Sequence, residues 1–386
     1  MKRLKTELNA LVNRGVDRHL RLAVTGLSRS GKTAFITALV NQLLNIHTGA
    51  RLPLLSAARE ERLLGVKRVP QRDFGIPRFT YDEGLAQLYG QPPMWPTPTR
   101  GVSEIRLALR YRSNDSLLRH FKDTCTLYLE IVDYPGEWLL DLPMLAQDYL
   151  SWSRQMTGLL QGQRAEWSAR WRQLCAGLDP LAPADEARLA DIAAAWTDYL
   201  HACKREGLHF IQPGRFVLPG EMAGAPALQF FPWPDVDAVG EAKLAQADKH
   251  SNAGMLRERY KYYCERVVKG FYKEHFLRFD RQIVLVDCLQ PLNSGPQAFN
   301  DMRLALTQLM QSFHYGQRTL FRRLFSPVID KLLFAATKAD HVTIDQHSNM
   351  VSLLQQLIQD AWQNAAFEGI SMDCLGLASI QATQSG

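Results

Sequence analysis

Residues 26–33 read Gly26-Leu27-Ser28-Arg29-Ser30-Gly31-Lys32-Thr33, and this octet decides how the rest of the chain is read. It fits the G-x-x-x-x-G-K-[ST] pattern of a phosphate-binding loop. The flanking chain supplies the context that the pattern requires. Residues 20–25 (LRLAVT) predict a short buried strand, and residues 34–44 (AFITALVNQLL) predict a helix with an apolar face. In a strand–loop–helix of this kind, backbone N–H groups of Gly26, Ser28, Arg29, Ser30 and Gly31 wrap a phosphate, and the helix N-terminus adds a positive dipole end. Lys32 would reach the β- and γ-phosphates, and the Thr33 hydroxyl would bind Mg²⁺.

Working outward, two more motifs sit at the ends of apolar runs. Residues 125–132 (CTLYLEIV) predict a strand that ends on Asp133-Tyr134-Pro135-Gly136. A carboxylate there is what Mg²⁺ needs, and Gly136 lets its N–H approach a γ-phosphate. Residues 331–336 (KLLFAA) predict a strand followed by Thr337-Lys338-Ala339-Asp340. A carboxylate at Asp340 can accept both N1–H and N2–H₂ of guanine, whereas adenine would leave it unpaired in a closed site. The Lys338 stem would cover the base. Thr337 stands where Asn is more usual. Thr97 and Thr99 lie in a proline-rich loop before the strand expected at 105–111 (IRLALRY). Thr99 is the preferred candidate for closing over Mg²⁺ and the γ-phosphate. Ala378 and Ser379, after the last strand, are candidates for backbone contacts to the base.

The rest of the chain sets the frame. Its 386 residues allow one large domain or two ordinary ones, and a hydrophobic fraction of 46% is that of a globular protein. A net charge of +6 allows nucleic acid or an anionic membrane surface without demanding either; no Lys/Arg run has the density of a nucleic-acid arm, so a solvated basic surface and no nucleic-acid partner are expected. The six cysteines include no C-x-x-C pair, which predicts no zinc site and a reducing, cytoplasmic setting. No stretch is apolar for the length a bilayer needs. Residues 1–13 (MKRLKTELNALVN) form a short basic amphipathic pattern, read first as a capping helix and second as a weak peripheral membrane attachment.

Residues 49–100 are rich in Arg, Pro, Gly and aromatics, residues 89–101 (YGQPPMWPTPTRG) predict a long irregular loop, and residues 105–111 a half-exposed or edge strand. From 142 to 205 the pattern is helical; Trp167 with Trp171, and Leu189 with Ala193, predict apolar stripes on single helix faces. Residues 207–247 predict loop around Phe230-Phe231-Pro232-Trp233-Pro234, and 253–279 one long amphipathic surface helix. Then strand and helix alternate again: a strand over 282–289, a helix over 297–313, the strand at 331, a helix over 348–367 and a last strand over 374–380. This rhythm predicts an α/β fold, a P-loop NTPase with a mostly parallel sheet and helices on both faces. Residues 1–141 plus 281–386 would form the nucleotide domain and 142–280 a large, mainly helical insertion. The chain stops just after its last strand, which reads as a truncated or partly ordered C-terminus.

The order of P-loop, switch Thr, D-x-x-G and T-K-x-D resembles the Ras-like GTPase superfamily. With residues 133–145 (DYPGEWLLDLPML), the TPTRG loop and the long helical insertion, the whole chain resembles the YcjX family of bacterial stress-associated P-loop proteins. That resemblance implies a GTPase-like protein linked to envelope stress, using GTP/GDP and Mg²⁺. A protein effector would be engaged through the insertion.

Two side chains bear on turnover. Glu137 stands where many Ras-like proteins carry the Gln that orients the attacking water. It could orient water or act as a base, or turn away toward an Arg or Lys. Arg29 is the fourth residue of the P-loop, an arrangement similar to the guanylate-binding proteins, where an Arg at this point acts as an arginine finger within its own chain. Arg100 is a second candidate. Two other classes stay open: a nucleotide-gated scaffold with little hydrolysis, and an ATP-using P-loop enzyme.

Overall fold

The computed structural model describes residues 18–27, 29–46, 63–98, 100–112, 124–315, 331–359, 363 and 371–378. Ser28, Thr99 and Ser379 lie outside the described residues, as do residues 1–13 and the chain after Ala378.

Seven strands form one sheet: β1 (Arg18–Gly26), β2 (Leu63–Arg68), β3 (Ser103–Arg112), β4 (Thr124–Asp133), β5 (Arg281–Val286), β6 (Lys331–Ala336) and β7 (Ser371–Gly376). Their spatial order is β2-β3-β4-β1-β5-β6-β7. The four pairings from β4 to β7 are parallel, and β3 with its two neighbours is antiparallel. The expected mostly parallel α/β sheet is therefore present. The order reverses at β1, which lies between β4 and β5. In open α/β sheets, ligands bind outside the carboxyl ends of the strands at such a point.

Alternation along each strand divides the side chains between two cores. On one face Val24, Leu107, Ile131, Leu285 and Ala335 pack with Ile36, Val40 and Leu43 of helix α1 (Lys32–Leu44) and with Phe79 and Tyr81, the latter opening helix α2 (Tyr81–Leu88). On the other face Ala23, Val132, Val284, Val286 and Phe334 belong to a larger core. That core takes in helix α3 (Tyr149–Gly158), helix α4 (Glu186–Arg205), helix α5 (Asn252–Tyr262) and helix α6 (Pro296–Tyr315). The last helix with a buried face, α7 (His347–Leu357), covers β6 and β7.

Helix α4 is dictated locally. Asp185 caps it by accepting from the Arg188 N–H, and Lys204 and Arg205 sit in the last turn, where cations complement the helix dipole. Leu189, Ile192, Ala193, Trp196, Tyr199 and Cys203 recur at helical spacing and are buried. Leu189 and Ala193 thus share a face as expected. Trp167 and Trp171 sit on two short helices, Gln163–Trp167 and Ala169–Cys175, that join at Ser168, and both pack against the same core.

The expected loop over 89–101 carries no helix or strand among its described residues, and β2 and α2 lie in the chain before it. Two further expectations are corrected. β2 contains a glycine and little apolar alternation, and it forms because β3 offers it a partner edge. Consequently β3 is an interior strand rather than an edge strand. Its polar side is occupied as well: Glu104 and Arg106 join Arg21 and Glu130 in a buried charge network. The 253–279 run is not a surface helix. It passes from α5 through a π-helical turn, Tyr263–Val268, into Lys269–Glu274, and Leu256, Tyr260, Tyr263 and Phe276 are at most 3% exposed. Its tyrosines bury because their hydroxyls find acceptors, Tyr260 at the Met144 and Gln147 carbonyls and Tyr263 at Asp141.

Among the described residues, no helix is long and apolar enough to cross a membrane. All six cysteines are free thiols.

Candidate nucleotide site

The motifs meet where the parallel strands end. β1 runs out at Gly26, β4 at Asp133, β6 at Ala336 and β7 at Gly376. Gly31 precedes α1 with φ 78°, a left-handed conformation that glycine adopts without strain, and no side chain caps the helix. A helix N-terminus at this point carries the positive dipole end that favours an anion. Ser30 N–H donates to the Leu27 carbonyl at 3.1 Å and tightens the loop.

Among the described residues, only Arg29 (φ 64°) and Lys338 (φ 62°) are non-glycine residues with positive φ. One belongs to the P-loop and the other to the T-K-x-D turn. Left-handed backbone at such residues costs about 1 kcal/mol or more, so its occurrence at these two points marks them as functional candidates.

Lys32 lies across the end of β4. Its Nζ is 2.7 Å from Asp133 Oδ1 and donates to the Tyr134 carbonyl at 2.7 Å. Thr33, the candidate metal hydroxyl, is buried one residue further along α1. Hydroxyl and carboxylate oxygens are the hard donors that Mg²⁺ takes, and it commonly keeps waters and phosphate oxygens for its other positions. The sparse protein donor set therefore fits that ion. Gly136 approaches the P-loop so closely that a Cβ there would lie 2.5 Å from the Gly26 carbonyl oxygen.

The base motif is built by two strand ends. Ala339 N–H donates to the Leu377 carbonyl, and Leu377 N–H to the Ala336 carbonyl. The chain next to Ala378 is thereby brought against Thr337–Asp340, with Ala378 itself exposed. Thr337 is buried and its N–H donates to Val286. The Asp340 side chain is 10% exposed, with His341 Nε2 4.0 Å away. Lys338 Nζ is fixed 2.5 Å from Asp287 Oδ2, which extends its stem along this end of the site. Asp287 was not singled out by sequence reasoning; the available signal was a carboxylate at the end of a buried strand.

The proline-rich loop is tied to α2 at Thr97. Thr97 N–H donates to Gln87 Oε1, and Gln87 Nε2 donates to the Thr97 hydroxyl. That leaves Thr99, outside the described residues, as the other switch candidate. Arg100 is exposed.

Both turnover candidates face α4. Arg29 Nη2 donates to the Arg205 carbonyl at 3.0 Å, and Lys204 Nζ is 2.9 Å from Glu137 Oε1. Glu137 is 8% exposed and lines a narrow cleft with Leu27, Leu140, Lys204, Leu208 and His209. Burial pushes the His209 imidazole below its ordinary range, so it is neutral at pH 7. Neither Lys204 nor Arg205 carries a sequence signal for this role, because each contact spans a long separation in the chain.

A family model described as "YcjX-like family, DUF463" matches residues 20–386. The chain is 92% identical over 386 residues to the "Ras-like GTPase YcjX" of Escherichia coli (strain K12), covering all of this chain and 83% of that protein. It is 47% identical over 396 aligned positions to the "Ras-like GTPase YcjX" of Shewanella oneidensis, covering 82% of that protein. The chain belongs to the YcjX-like family, and its sheet and helices are those of a Ras-like P-loop fold.

Proposed function

We propose that this member of the YcjX-like family is a guanine-nucleotide switch that hydrolyses GTP to GDP and phosphate, slowly in the conformation described here. The observation that carries the reading is the convergence of the P-loop, Asp133–Gly136 and Thr337–Asp340 on one end of the sheet. The two relatives, each named a Ras-like GTPase, support it.

In this reading the amides of Gly26, Ser28, Arg29, Ser30 and Gly31 and the ammonium of Lys32 bind the phosphates. Asp340 accepts the guanine edge, Lys338 covers the base, and Thr337, Ala378 and Ser379 complete its surroundings. Thr33, Asp133 and Thr99 would hold Mg²⁺, which supplies charge neutralisation at the phosphates. Arg29 supplies a positive charge as a finger, worth up to ~10³-fold in rate. Glu137 is the candidate for orienting water.

A second reading, a nucleotide-gated scaffold with little turnover, is favoured by one specific feature. Arg29 and Glu137 are both engaged by α4. An effector would then meet residues 142–280, treated as an inserted helical domain. The six free thiols support a reducing, cytoplasmic setting, and the family resemblance supports a link to envelope stress.

A titration with GTP, GDP and ATP tests the reading, with Asp340→Asn as the base-specificity control. Guanine preference should be present in the wild type and lost in the variant. Preference that persists in Asp340→Asn removes the 337–340 assignment, and ATP preference in the wild type favours an ATP-using enzyme. A turnover assay on wild type, with nucleotide binding shown intact, separates switch from scaffold; in single-turnover hydrolysis, an unchanged rate of Arg29→Ala at saturating nucleotide removes the finger role.

A further inference from the structure

We propose that Lys204, on the last turn of α4, is a positioning residue that lets this site accept a triphosphate. It does so by holding the charge of Glu137. The proposal rests on the guanine-nucleotide reading above and assigns to that site a determinant from the inserted segment.

Glu137 follows Gly136, whose α-carbon is packed on the Gly26 carbonyl, so the Glu137 backbone begins directly over the P-loop. Its side chain shares a cleft with Leu27, the second residue of that loop. A carboxylate in this position opposes the phosphate that brings the most negative charge. Two positive groups of the P-loop are already committed in part: Lys32 to Asp133, and Arg29 to the Arg205 carbonyl. The C-terminal end of α4 is itself the negative end of a 20-residue helix. Neutral His209 offers no compensating charge in the cleft.

Lys204 is therefore the cation that neutralises Glu137, at 2.9 Å, in a cleft where solvent screening is weak. The pair holds the carboxylate against α4. Without Lys204 the carboxylate is left buried and uncompensated, or rotates toward the phosphates. Either outcome disfavours GTP more than GDP, because only GTP brings the γ-phosphate. Lys204 thus acts through Glu137 and touches no nucleotide itself.

The test is affinity rather than turnover. Fluorescent GDP and a non-hydrolysable β,γ-imido GTP analogue are titrated against wild type, Lys204→Met, Lys204→Arg and Lys204→Met/Glu137→Gln. The Lys204 side chain is 27% exposed, so the Met variant can fold, and GDP binding reports that it has. Lys204→Met should weaken the triphosphate analogue roughly tenfold while GDP changes less than about threefold. Lys204→Arg should retain the wild-type ratio, and the double variant should recover it. An unchanged triphosphate-to-diphosphate ratio in Lys204→Met overturns the proposal. So does equal weakening of both nucleotides that Glu137→Gln fails to rescue, which makes Lys204 merely structural. Wild-type protein that binds neither nucleotide overturns the guanine reading itself, a result distinct from the first two.

Discussion

Gly136→Ala tests a close backbone approach in the candidate site. The added Cβ would lie 2.5 Å from the Gly26 carbonyl oxygen and 3.1 Å from its carbon. A relaxed carbon–oxygen contact is about 3.3 Å, so the two segments must separate by ~0.8 Å. Both contacts are backbone, and β1 is fixed between β4 and β5, so the segment after Asp133 must move. A hydrogen bond lengthened from about 2.9 to 3.7 Å is no longer a hydrogen bond. The Gly136 N–H would be withdrawn from the γ-phosphate, at a cost of about 1.5–3 kcal/mol for a bond to a charged group. The expected result is a 10- to 100-fold loss of affinity for a GTP analogue with a much smaller loss for GDP, at ~1.4 kcal/mol per decade. Strain lowers stability by about 1–3 kcal/mol, partly offset by the ~1 kcal/mol helix preference of Ala over Gly. Gly270→Ala is the matched control. It lies within a helix, a Cβ there meets nothing within 4 Å, and the change should stabilise by about 0.5–1 kcal/mol without touching nucleotide affinity. Isothermal titration with both nucleotides reads the outcome. Wild-type triphosphate affinity in a folded Gly136→Ala variant would refute the placement of Gly136 against the γ-phosphate.

Arg164→Met should destabilise by about 3–5 kcal/mol in denaturant titration, because Asp301 is left buried 2.6 Å from where Arg164 Nη2 stood; a loss under 1 kcal/mol would contradict that pairing. Asp141→Asn should change the pH dependence of stability. Burial, opposed by hydrogen bonds from Tyr263 and Gly214, pushes the Asp141 carboxyl up to about 7. The folded chain thus holds a proton that the unfolded chain releases near pH 4, and wild type loses stability as pH rises toward 7. The unfolding free energy of the Asn variant relative to wild type, read by denaturant titration, should rise by about 2.7 kcal/mol between pH 5 and 7, at ~1.4 kcal/mol per pH unit, and level off above pH 7. A difference independent of pH would refute the assignment. Asp287→Ala releases Lys338 Nζ and two N–H groups, those of Leu289 and Gln290. It should weaken GTP and GDP alike by roughly tenfold in fluorescence titration, without changing their ratio. Hydrogen exchange over residues 208–222 should differ between the GDP and GTP-analogue forms; identical protection in both would mean that this segment does not follow the nucleotide.

The P-loop was legible because its physics is local. Strand, glycine turn and helix are covalent neighbours, and eight consecutive residues carry the spacing. Asp133 and Asp340 were legible for the same reason, each ending an apolar run. β2 was not, because LLGVKR has no pattern of its own and becomes a strand only against β3. The 253–279 run was legible as helix but not as core: its tyrosines and arginines give the count of a surface helix, and only the acceptors waiting at Met144, Gln147 and Asp141 make burial possible. The contacts of Arg29 and Glu137 with α4 were beyond sequence reasoning, since the first spans 176 residues and no spacing rule reaches that far.

Those contacts change what residues 142–280 are to the site. From 137 to 141 every residue is tied to chain outside the strands. Glu137 pairs with Lys204, and Trp138 donates Nε1–H to the Leu218 carbonyl while the Arg215 guanidinium lies 3.3 Å from its ring centroid. The Leu139 carbonyl accepts from Ser312, the Leu140 carbonyl from Gln212 Nε2, and Asp141 from Gly214 and Tyr263. The buried residues behind these contacts, Trp152, Trp196, Phe230 and Tyr263, belong to the same core as Ala23, Val132 and Phe334 of the sheet. A close-packed core does not deform continuously, so any movement that a γ-phosphate imposes on Gly136 must either be resisted by the helical segment or carry it along as a unit. Whatever then holds that segment in one position also sets the affinity for the triphosphate, by the reciprocity of linked equilibria. In the proposed reading, the helices of residues 142–280 are in this sense part of the nucleotide site, its third wall beside the P-loop and the base turn.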